Sequence, residues 1–138
     1  MTTHFLESWS QYLLAEDYKF LIQYVENVKN GIPNDVMIIL YGDGRTGKST
    51  LMRQIGDYLG AVLSGTMMTS GELIYSKYIP RLGFLHGLEG TSTSKKTSYA
   101  IANLIKYKQS FIADVNYIGT IHPLLQLHSR VIYMTHVF

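Results

Sequence analysis

At 138 residues the chain has the length of one domain, enough for a real core but short for a complete molecular motor. Hydrophobic residues make up 46% and charged residues 16%, which excludes a disordered or fibrous chain, and a net charge of +2 is too small to announce nucleic-acid binding by itself. The absence of cysteine rules out disulfides and thiolate metal sites and agrees with an intracellular setting; with no basic leader and no apolar run of membrane length, a soluble protein without a membrane partner is expected.

In chain order, Phe5, Leu6, Trp9, Tyr12 and Leu13 fall at helical spacing, and a second stripe of Phe20, Leu21, Tyr24, Val25 and Val28 follows Asp17, a candidate N-cap. Two amphipathic helices are predicted, closed by "NGIP" at 30–33, where glycine accepts the left-handed conformation and proline cannot continue a helix. Residues 1–33 therefore read as an N-terminal helical segment packing on a core formed by 34–138. The run 36–41 is apolar on both faces, the pattern of a central strand in a parallel sheet. A helix is predicted over 49–59, with Leu51, Ile55 and Leu59 in register and Gly60 as its stop, and "AVLSG" at 61–65 as a second strand. Farther on, 82–85 reads as a short strand, 90–96 as a polar loop, 95–108 as a helix with Ile101, Leu104 and Ile105 on one side, and 130–134 as a final strand. Strands alternating with helices predict an α/β layer fold.

Between the first strand and the following helix, Gly42, Gly47, Lys48 and Ser49 satisfy the pattern G-x-x-x-x-G-K-[ST]. That is the context the phosphate-binding loop requires, against the bland alternative of a glycine-rich turn. Glycines let the backbone turn its N–H groups toward phosphate oxygens, the helix N-terminus adds partial positive charge, and Lys48 is placed to meet the terminal phosphates. Gly42, Asp43, Gly44, Arg45, Thr46, Gly47, Lys48, Ser49 and Thr50 are the candidate nucleotide-binding residues, with ATP as ligand and Ser49 as a ligand to magnesium. Of these, Thr50 also reads as an ordinary helix residue and Arg45 as a solvated cation.

From about Tyr18 to Phe138 the sequence resembles the superfamily 3 helicases, replication motors of small DNA viruses such as papillomaviruses and parvoviruses. The resemblance rests on the helix, "NGIPND", strand and loop, on "YLGAVLSG" at 58–65, and on "NLIKYKQSFIADVNYIGTIHPLLQLHSRVIYMTH" at 103–136, which is similar to that family's helix, DNA-contacting hairpin and closing strand. It implies a P-loop NTPase of the AAA+ type, a parallel sheet flanked by helices. It further implies a ring-forming homo-oligomer that acts on single-stranded DNA in replication of a virus or mobile element, in host nucleus or cytoplasm, with replication proteins as partners.

The same resemblance implies three further groups of residues. His136 stands where the family carries a γ-phosphate sensor, normally asparagine. Glu89 stands for the acidic residues that hold magnesium and polarise water, with His86 and Gly87 in competing alignments. Asn116 and Tyr117 fall in the hairpin, in place of the basic residues expected there; apart from the resemblance, Lys95, Lys96, Lys106 and Lys108 of the predicted helix form a local positive cluster suited to a nucleic-acid backbone. The neighbour's arginine that completes each site in such rings normally lies beyond the closing strand; Arg130 is a substitute for it or a salt-bridge residue. A hydrolysis-deficient nucleotide-binding or assembly module is the competing class, and a small P-loop phosphotransferase a third, disfavoured by the lack of an arginine-rich lid. His4, His122 and His128 show no metal-ligand spacing.

Overall fold

The computed structural model describes residues 4–69, 72–73, 80–86, 88, 95–117 and 121–137. An opening 3-10 helix, His4–Gln11, leads into α1 (Ala15–Asn30), β1 (Met37–Tyr41), α2 (Lys48–Leu59), β2 (Ser64–Thr69), β3 (Leu82–His86), α3 (Lys95–Lys106), β4 (Ser110–Val115), α4 (Pro123–Leu127) and β5 (Ser129–Tyr133). The strands form a five-stranded sheet in the order β2-β3-β4-β1-β5, every pair parallel.

Both faces of the sheet are covered, which is why β1 is apolar throughout rather than alternating. Ile38, Leu40, Phe84 and Ile112 share one core cluster with Leu21, Tyr24, Val25 and Val28 of α1 and Leu51, Met52 and Ile55 of α2. Their neighbours Met37, Ile39, Leu85, Phe111, Ala113 and Val115 point the other way, into a cluster with Ile101, Ala102 and Ile105 of α3 and Leu125 of α4. Tyr24 fastens α1 to the sheet: its hydroxyl donates to the Val36 carbonyl at 2.8 Å, lies 3.1 Å from the Phe111 carbonyl and accepts the Phe111 amide at 3.1 Å. Burial holds the phenol pKa far above its ordinary value near 10.

Several elements depart from the sequence expectation. The first helix is 3-10 rather than α, which suits buried Leu6 and Trp9 at a spacing of three residues. Asp17 is not the N-cap of α1; Leu14 holds that position without a side-chain cap. Asp17 instead lies buried in the first turn, where it accepts Arg130 Nη2 of β5 at 3.0 Å. Residues 61–63 are a turn and the second strand begins at Ser64. The helix α3 stops at Lys106, followed by a turn in which Lys108 takes a positive φ of 71°.

The largest difference concerns 110–115. These residues, read as part of a hairpin, form the parallel strand β4 between β3 and β1, and Asn116 and Tyr117 follow its end; residues 118–120 lie outside the described residues. A run of Phe, Ile, Ala and Val is apolar enough to be buried on both faces, and that burial decides the outcome. No helix among the described residues is long and apolar enough to cross a membrane.

Candidate functional site

The loop that joins β1 to α2 is wedged into place at its first residue. Gly42 donates its amide to the Val115 carbonyl at 3.2 Å, and a Cβ at this position would lie 2.3 Å from the Met134 carbonyl oxygen. Only hydrogen fits between the ends of β4 and β5. The loop then turns through left-handed conformations at Arg45 (φ 69°) and Gly47 (φ 87°), the second being the N-cap of α2. Thr46 is buried and closes the turn by donating its hydroxyl to the Asp43 carbonyl at 2.7 Å.

Lys48, the first residue of α2, is only 8% exposed. Its ammonium donates to the carbonyls of Gly42 and Asp43, the latter at 2.9 Å, and lies 3.5 Å from Thr46 Oγ1. A buried ammonium that donates to loop carbonyls is placed to gain from an anion entering the cleft. The first turn of α2 faces the same space, where amides without intrahelical acceptors and the helix dipole favour negative charge. Ser49 is exposed on that turn and Thr50 is half-buried behind it.

These residues form one side of a cleft of about 960 Å³. Gly44 through Thr50 and Gln54 line it from the loop and α2, Asp114 and Asn116 from the end of β4, and Ser8, Trp9 and Tyr12 from the opening segment. Trp9 Nε1 donates to Gln54 Oε1 at 2.7 Å, which ties this segment to α2. Tyr12 meets the Trp9 ring edge-on at 5.9 Å and lies against the His136 ring at 4.4 Å between centroids.

The remaining predicted residues are distributed differently. His136 follows the end of β5 and meets the cleft through Tyr12 rather than lining it. Asn116, read as a hairpin residue, lines the cleft itself. Glu89 and Gly87 lie outside the described residues; His86 closes β3.

The proposed nucleic-acid cluster is split. Lys106 and Lys108 flank the start of β4, whereas Asn116 and Tyr117 follow its end, a strand length of roughly 20 Å away. Lys108 is moreover ion-paired to Asp35 at 2.7 Å. Arg130 is occupied by Asp17 and lies 4.5 Å over the Phe20 ring, so among its two expected roles the structure displays the salt bridge.

Two features of the cleft were missed in the sequence. Trp9 and Tyr12 sit at core spacing and carry no local mark of a second role. Asp114 did carry one, since "FIAD" is an apolar strand ending in an acid. Asp114 is the one carboxylate lining the cleft among the described residues. No group of three or more histidine, cysteine or acidic residues gathers anywhere among them.

No family model matches the chain, and no curated protein matches it. Solved structures do. The RuvB Holliday junction branch migration motor of Thermotoga maritima superposes with a TM-score of 0.62 at 15% identity, covering 92% of this chain and 46% of that one. The FIGL-1 AAA domain in complex with ADP gives a TM-score of 0.60 at 13% identity, covering 92% and 55%. The chain thus spans about half the length of these two structures. Likeness at such low identity concerns architecture, and it agrees with the strand order and the loop geometry: the chain has the α/β P-loop NTPase fold, a parallel sheet flanked by helices, as in AAA+ ATPases.

Proposed function

We propose that the chain is the ATP-binding core of a superfamily 3 helicase-like ATPase that acts on single-stranded DNA in the replication of a virus or mobile element. The observation that carries the nucleotide part is the Lys48 ammonium, buried among loop carbonyls at the floor of the cleft. In the bound state Lys48 exchanges those carbonyls for β- and γ-phosphate oxygens, the turned loop offers its amides, and the Ser49 hydroxyl serves as an oxygen ligand. Magnesium, when bound, neutralises charge on the terminal phosphates. Asn116 presents an amide from the end of β4, where it would orient the terminal phosphate or the attacking water.

The nucleic-acid part rests on the resemblance over 18–138 and on exposed Tyr117, which follows the cleft residue Asn116 and offers a stacking face. A homo-oligomeric ring and replication-protein partners belong to the same reading. A second reading, a nucleotide-binding or assembly module that hydrolyses little, is favoured by His86 at the end of β3, where the resemblance implies a carboxylate.

Calorimetric titration with ATP and magnesium tests the site. Lys48→Ala is expected to weaken binding at least about 10-fold, the loss of one charge-assisted contact of about 1.5 kcal/mol or more. Unchanged affinity in a folded variant would remove the basis for nucleotide binding here.

A further inference from the structure

We propose that Asp114, at the end of β4, is the carboxylate that completes the magnesium side of the nucleotide site, in place of an acid at the end of β3. This rests on the nucleotide reading above and concerns which residue of this chain meets the metal.

The sheet itself makes the case. In register, Asp114 pairs with Leu40 of β1 on one side and with His86 of β3 on the other. Strand β1 runs directly into the phosphate loop, so the end of β4 lies one strand spacing from it, about 4.8 Å, and the end of β3 lies two. Side-chain parity agrees: Ile112, Leu40 and Phe84 all pack on the α2 side, and Asp114, Asn116 and His86 continue that face at a period of two. Asp114 accordingly shares the cleft with Ser49 and the loop, and one of its carboxylate oxygens is shut off from solvent.

The chemistry points the same way. Magnesium is a hard cation that selects oxygen and is commonly held by one or two carboxylates plus phosphate oxygens and water. The His86 imidazole is a poor match for it. A carboxylate withdrawn from water gains strongly from a cation in reach. Asp114 and Ser49 thus both offer oxygen to this cleft, Asp114 taking the metal or its water while Lys48 takes the phosphates.

The test compares ATP affinity with magnesium and with chelator, and follows manganese by electron paramagnetic resonance in the nucleotide complex. In wild type, magnesium is expected to strengthen ATP binding. In Asp114→Asn the ratio of the two affinities should fall toward one, and manganese binding should weaken by about 10-fold or more. Moving the acid back across the register, in His86→Asp combined with Asp114→Asn, should restore part of both signals. Asp114→Glu, which keeps the charge but displaces it by one methylene, should lower the ratio several-fold and serves if the asparagine variant does not fold. A full magnesium enhancement in either single variant would overturn the assignment. Lys48→Ala separates the two levels. If it leaves ATP binding intact, the site reading fails; if it abolishes binding while Asp114→Asn keeps the enhancement, the site stands and Asp114 is not its metal residue.

Discussion

A methyl group at position 42 would sit 2.3 Å from the Met134 carbonyl oxygen and 3.0 Å from Thr46 Oγ1, inside contact distance of both. Gly42→Ala is therefore expected to push the loop off its strand ends, at a cost of about 1–3 kcal/mol and with weaker ATP binding. Gly44→Ala is the matched control for stability, because a Cβ there meets nothing within 4 Å. Thermal melts of both variants, with ATP titration of Gly42→Ala, check the pair, and equal melts would refute the steric argument. Residue by residue, the sequence was most informative where chemistry is local. Lys48 and Ser49 were readable because eight consecutive positions set their geometry. Asp114 was not, although its strand carries the pattern of an apolar run ending in an acid, because its neighbours His86 and Leu40 come from distant parts of the chain.

Between elements, the Asp17–Arg130 pair links α1 to β5 across 113 positions. Its two members are not equivalent: the Asp17 side chain is 9% exposed and Arg130 36%. Removing the arginine strands a buried carboxylate, whereas removing the acid leaves a guanidinium that still reaches water and the Phe20 face. Arg130→Ala is expected to cost about 2–3 kcal/mol and Asp17→Asn about half of that in denaturant unfolding. Equal costs would show that the pair is not held as described. The same pair explains why α1 was misread at its start. An aspartate before an apolar stripe is an ordinary capping signal, and nothing nearby in sequence reveals an arginine on a far strand that competes for it. The opening segment was misread for a related reason, since spacings of three and four residues serve a 3-10 turn and an α-helix alike over so short a stretch.

At the scale of the whole molecule, alternation of strands and helices was enough to predict the layered α/β class, and the strand ahead of the loop was placed correctly as central. The strand order was not readable, because inserting β4 between β1 and β3 depends on which faces the helices cover. That order also bears on turnover. Arg45 is the one arginine lining the cleft among the described residues, and it lies exposed on the loop itself. An arginine brought by a second molecule contributes roughly 10³-fold or more in rate at sites of this chemistry. The isolated chain is therefore expected to bind ATP but hydrolyse it slowly, with the rate rising as the chain self-associates. Single-turnover hydrolysis across protein concentrations, paired with sedimentation, checks this. Fast turnover by a monomer, indifferent to concentration, would exclude a partner-completed site.

The wedge at Gly42 has a mechanical side. Met134 donates its amide to Tyr41 at 2.8 Å while its carbonyl fills the space a side chain on Gly42 would need, so the chain leaving β5 lies directly against the first residue of the loop. A loop that shifts at Gly42 when it takes up phosphate is therefore expected to disturb the segment that leaves β5. The ring of His136 rests on Tyr12, which places that same segment beside a lining residue of the cleft. The residues after β5 and the first residue of the phosphate loop are thus expected to answer to each other's position.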